Sequence, residues 1–129
     1  MRAIDTNVVV RLLVADDADQ AQAARQIVLG GETFLGVSVV LETEWVLRAG
    51  YDFTAPQIVD ALRALGGLPG LTMEEPEQVA MALEGLEQGM DFADALHLAR
   101  SGHCREFVTF DRKLAKRAKG LSRVPVLLL

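Results

Sequence analysis

The chain has 129 residues, half of them apolar, with a formal net charge of −5 and a pI near 5.0. That size suits a single domain over residues 1–129 with a real core. It excludes a strongly basic nucleic-acid coat, though not a local basic patch. A single cysteine, Cys104, excludes an internal disulfide framework and fits a reducing compartment. The first residues lack a secretory signal, and no apolar run approaches the ~20 residues of a membrane span. A cytoplasmic protein with no membrane association is therefore expected.

Strand-like and helix-like segments alternate. Residues 2 to 5 read as a short strand and 6 to 14 as a helix. "DADQAQAARQIVLGG" reads as a helix starting near Asp17 or Asp19 and stopping at Gly30-Gly31. "TFLGV" is a short strand, and Ser38 can cap a helix running to about Arg48, before Gly50. Thr54 caps another helix, with Pro56 in its first turn, ending near Gly66-Gly67. "LTM" is a brief strand. Pro76 opens a helix ending near Gly89, and Asp91 caps the next, which ends at Gly102. "EFVTF" is a β-branched and aromatic strand, Asp111 begins a last helix, and "VPVLLL" closes as a strand. Such alternation predicts an α/β fold with a central, mostly parallel sheet of about five short strands flanked by helices.

Four carboxylates fit poorly as structure. Asp5 and Asp111 each follow an apolar strand and precede a helix, which puts them at the carboxyl ends of strands, where parallel sheets bind ligands. An N-cap role would account for Asp111 equally well. It accounts less well for Asp5, because Thr6 or Asn7 could cap in its place. Glu42 has Val39, Trp45 and Val46 at i−3, i+3 and i+4, apolar residues that mark a buried flank where a carboxylate needs a partner. Glu44, by contrast, has Arg48 at i+4 and reads as an ordinary surface pair. Asp94 lies three residues after Asp91, a spacing that suits either a helix cap or a site. His97, one turn on, reads as an ordinary helical histidine.

Asp5, Glu42, Asp94 and Asp111 could all reach one sheet edge. Ionised carboxylates sharing a pocket repel one another, and a divalent cation removes that cost. All-oxygen ligands select Mg²⁺ or Mn²⁺ over Zn²⁺, and such a site suits phosphodiester hydrolysis by metal-activated water.

In these motifs the chain resembles the PIN-domain ribonucleases, in particular the VapC-type toxins of bacterial toxin–antitoxin systems. The matching stretches are "IDTN" (4 to 7), "VVLETEWVL" (39 to 47), "DFADALHLA" (91 to 99) and "VTFDRKLA" (108 to 115), so the resemblance spans nearly the whole chain. It implies that Asp5, Glu42, Asp94 and Asp111 bind the metal. Asp91 would support the site or bind metal through water, and Thr6, Asn7 and Thr109 would orient the carboxylates. It also implies a Mg²⁺-dependent endoribonuclease, a homodimer and inhibition by a cognate antitoxin. Thr43 departs from the pattern, in which a larger apolar residue is common beside the glutamate.

Six of the 13 basic residues fall in the twelve positions from Arg112 to Arg123. Arg112, Lys113, Lys116 and Arg117 follow Asp111 directly and could hold an RNA backbone. A solvated helix face explains them equally well. Arg11 and Arg48 could also face the cleft. The run Asp16, Asp17 and Asp19 reads as a helix start, and His103-Cys104 has no second pair at zinc spacing. Two other functions fit parts of the pattern. One is a catalytically silent RNA- or protein-binding module. The other is a Mg²⁺-dependent phosphatase using Asp5, which would need a second Asp where Asn7 stands.

Overall fold

The computed structural model describes residues 1–129 and contains two compact units, residues 1–76 and 77–129. In the first, β1 (Arg2–Ala3), β2 (Thr33–Leu35) and β3 (Leu71–Met73) form a parallel sheet in the order β1-β2-β3. Its register pairs Arg2 with Thr33, and Thr33 with Leu71. Helices α1 (Thr6–Val14) and α2 (Ala18–Leu29) connect β1 to β2, and α3 (Val37–Tyr51) and α4 (Ala55–Gly66) connect β2 to β3. Parallel neighbours need long crossovers, and each strand supplies too few backbone bonds to hold by itself. The helices therefore contribute most of the buried surface. Val9, Val40, Leu47, Ile58 and Leu62 are essentially closed to solvent, each worth about 1.5–3 kcal/mol of transfer free energy.

The second unit opens with α5 (Pro76–Glu87) and continues through α6 (Phe92–Ala99), β4 (Phe107–Thr109), α7 (Arg112–Ala118) and β5 (Val126–Leu128). β4 and β5 pair in parallel, Phe107 with Val126 and Thr109 with Leu128. Phe92, Val79, Ala82 and Leu96 are buried. The α/β class and the parallel strands match the sequence expectation. The five strands are hydrogen-bonded as a ladder of three and a ladder of two.

Local signals set most of the boundaries. Asp17 caps α2, its side chain accepting from the Gln20 N–H at 3.1 Å. Thr54 and Gln57 form a reciprocal capping box at the start of α4. The start of α3 differs from expectation. Gly36, not Ser38, is its N-cap and offers no side chain. Glu74, just after β3, supplies the missing acceptor and takes the Val37 N–H at 2.8 Å. That helix also runs through Gly50 to Tyr51 and ends on Asp52 in the left-handed region.

Candidate active site

In the first unit, Asp5 lies just past β1 and is the N-cap of α1. Its Oδ1 accepts the Thr6 N–H at 2.7 Å, and its other oxygen takes no protein partner. Thr6 itself is buried, and its hydroxyl donates to Glu42 Oε1. The first turn of α1 and the middle of α3 are thus joined by a side-chain hydrogen bond that brings Glu42 next to Asp5's own neighbour. Asn7 is exposed and makes no hydrogen bond to either carboxylate.

The expected contrast between the two glutamates of α3 is reversed. Glu42 is exposed, whereas Glu44 is 2% exposed and receives Arg48 Nε at 3.0 Å. The buried stripe of α3 runs through Val40, Thr43, Glu44 and Leu47, and Trp45 is 58% exposed. Glu42 is therefore a candidate through its bond to Thr6, and not through burial. Thr43 lies in the stripe, its hydroxyl buried without a partner.

In the second unit, Asp91 caps α6, its Oδ2 accepting the Asp94 N–H at 3.1 Å. Asp111 caps α7 through the Leu114 N–H at 3.1 Å, while the Thr109 hydroxyl accepts the Asp111 N–H at 2.9 Å. Thr109 therefore anchors the Asp111 backbone. Asp94 is half-buried, and its carboxyl is pushed above the usual aspartate range, first by lost hydration and then by the charges of Asp91 and Asp111; His97 pulls the other way. His97 is otherwise an exposed last-turn residue.

The donor chemistry suits a hard cation. Asp5, Glu42, Asp91 and Asp111 each keep one carboxylate oxygen without a protein partner, and Asp94 keeps both. No cationic side chain offsets the repulsion felt at Asp94, apart from the pull of His97. Within either unit, no three acidic, imidazole or thiol side chains meet at metal-ligand spacing.

Two residues that could have faced substrate are engaged elsewhere. Arg11 donates to Asp16 at 3.0 Å, to the Tyr51 hydroxyl at 3.2 Å and to Gln20 at 2.6 Å, and its guanidinium is held still more firmly protonated by Tyr51 and Asp16. Arg48 serves Glu44. The Arg11 network and the Glu74 cap were not foreseen from sequence. Both join residues far apart in the chain, and no local pattern announces them.

An α/β protein with parallel strands and carboxylates just past two of their carboxyl ends belongs to the broad class of α/β folds, which bind ligands outside the carboxyl ends of their strands. The family model described as PIN domain matches residues 3–120, and the chain belongs to the PIN domain family. Members are generally nucleases and generally use divalent metal ions. A search of curated protein sequences returned no significant match. No helix is long and apolar enough to cross a membrane.

Proposed function

We propose that the protein is a Mg²⁺-dependent endoribonuclease, acting in the cytoplasm as the toxin of a toxin–antitoxin pair. Mn²⁺ is an alternative cation. The observation that carries the reaction is the match of residues 3–120 to the PIN domain family, whose members are generally metal-dependent nucleases. The placement of Asp94 beside Asp91 and Asp111, which raises its carboxyl, agrees with a cation-binding role. The toxin role rests on the order of the four motifs along the chain.

Asp5, Glu42, Asp94 and Asp111 are the metal ligands in this reading. A divalent ion bound to them would polarise a phosphate oxygen and acidify a water. The Thr6 hydroxyl donates to Glu42, and the Thr6 N–H orients Asp5 by donating to its Oδ1. Asp91 fixes the first turn of α6, from which Asp94 projects, and Thr109 fixes the backbone at Asp111. A homodimer and an inhibitory antitoxin follow from the toxin reading and are proposed with it.

Cleavage of transfer, ribosomal and messenger RNA by purified protein tests this reading. Wild type with Mg²⁺ should cut; wild type with EDTA and Asp5→Asn with Mg²⁺ should not. Cleavage by Asp5→Asn at the wild-type rate would remove Asp5 from the site. A second reading, a PIN-fold binding module without turnover, is favoured by the lack of three converging ligands within either unit. Inactivity of all three samples on every RNA, with binding retained, would establish it.

A further inference from the structure

Helix α3 carries Glu42, yet its start lacks the usual local support. Its N-cap, Gly36, has no side chain, and no acidic residue stands in its first turn. The N–H groups of a first helical turn have no partner inside the helix and carry partial positive charge. An acceptor must come from elsewhere, and Glu74 supplies it. Its Oε1 accepts the Val37 N–H at 2.8 Å, while its own N–H donates to the Leu35 carbonyl at 2.9 Å. The residue just past β3 thus holds both sides of the turn that leads from β2 into α3.

The effect extends along the helix to Glu42. Val37 and Glu42 are separated by about 7.5 Å of helix axis. The buried stripe of Val40, Thr43, Glu44 and Leu47 holds α3 against the core. Apolar packing is non-directional, so it fixes the height of a helix along its axis less sharply than a hydrogen bond does. Two directional bonds bracket this stretch. One joins Val37 to Glu74, and the other joins Glu42 to Thr6, the residue after Asp5. Asp5 follows β1, Gly36 follows β2 and Glu74 follows β3, so the residues that anchor both bonds stand at one carboxyl edge of the ladder.

We propose that Glu74 is a positioning residue for Glu42. By tethering the first turn of α3 to the end of β3, it sets the height at which Glu42 meets Thr6. The benefit to metal binding rests on the nuclease reading; the tether itself does not. A plain helix cap would stabilise α3 without placing Glu42, and the two roles are separable. Gly36 lies at φ −73°, and a Cβ there would meet its nearest neighbour, the Phe34 ring, at 3.6 Å, an ordinary contact. Gly36→Asp therefore gives α3 a cap of its own with no link to β3.

Urea melts of Glu74→Ala, Thr6→Val and the double variant form a cycle that needs neither metal nor RNA. All are made in the Gly36→Asp background, which keeps α3 capped and the variants folded. The midpoint lost by the double variant should be clearly smaller than the sum of the two single losses. Additive losses mean that Glu74 only caps α3, and they overturn the proposal. The rise in melting temperature with added Mg²⁺ gives the second readout. Glu74→Ala/Gly36→Asp should need roughly tenfold more Mg²⁺ than Gly36→Asp for the same rise, the low end of the roughly 10–100-fold typical of groups that orient ligands. Glu74→Gln, which keeps an acceptor for Val37, should stay near wild type. An unchanged Mg²⁺ requirement in Glu74→Ala/Gly36→Asp overturns the positioning role even if the losses couple. Coupled losses in a protein whose wild type shows no response to Mg²⁺ uphold the tether and reject the metal-dependent nuclease reading.

Discussion

The buried Thr6 hydroxyl donates to the Glu42 carboxylate across 36 residues of sequence. The bond joins the residue after Asp5 to a side chain that has no other protein partner. Thr6→Val keeps the shape of the side chain and removes the donor. The expected cost is about 1 kcal/mol of stability in urea melts. A larger effect is expected on catalysis, because groups that orient metal ligands typically contribute roughly 10–100-fold. Thr6→Ser should recover most of both. Full activity in Thr6→Val would show that Glu42 needs no orienting.

Asp94 predicts a pH dependence of stability. Its carboxyl is raised in the folded state, so the fold holds the proton more tightly than the unfolded chain does. Ionisation of Asp94 therefore works against folding. That penalty is absent near pH 3, below the ordinary aspartate value of ~3.9, and grows as pH rises above it. In EDTA at pH 7, Asp94→Asn should melt at a higher temperature than wild type, and the gain should vanish near pH 3. On the proposed ligand set, excess Mg²⁺ should reverse the order, because wild type would gain more from binding the ion than a variant lacking one ligand. Thermal melts across pH, with and without metal, check both halves.

Glu44 and Arg48 predict a purely structural effect. The Glu44 carboxylate is almost fully buried, and Arg48 is its partner. Arg48→Met leaves that charge buried and unpaired, at a cost of about 1–3 kcal/mol. Glu44→Gln keeps an acceptor for Arg48 and should cost less. Neither substitution should alter the metal dependence of cleavage, which separates this pair from Glu42.

Gly85 predicts an overpacking cost. A Cβ there would lie 2.7 Å from Ala95 Cβ, closer than two carbons can approach. Gly85→Ala must push α5 from α6 and should destabilise by about 1–3 kcal/mol in spite of the better helix propensity of alanine. The shift would also disturb Asp94, the neighbour of Ala95 on α6. A melt unchanged from wild type would show that the contact yields freely.

What the sequence made legible was local. The bounds of α1 at residues 6 to 14, the Thr54 cap and the caps at Asp91 and Asp111 follow from short patterns of residue type. The α3 stripe was misread because two of its four buried members, Thr43 and Glu44, are polar. The apolar neighbours of Glu42 drew attention to a flank on which Trp45 in fact meets solvent. The cap of α3 was missed because its acceptor comes from Glu74, 37 residues further on.

The order of the strands sets a timetable for synthesis. In the first unit each strand pairs with the next one made, and the ladder β1-β2-β3 has all its members once residue 73 has left the ribosome. The Thr6–Glu42 link needs nothing later than α3. β4, which ends two residues before Asp111, has β5 as its ladder partner and waits for residues 126–128. The nascent chain can therefore form the Thr6–Glu42 link early, while β4, just ahead of Asp111, stays without its ladder partner until residues 126–128 are translated.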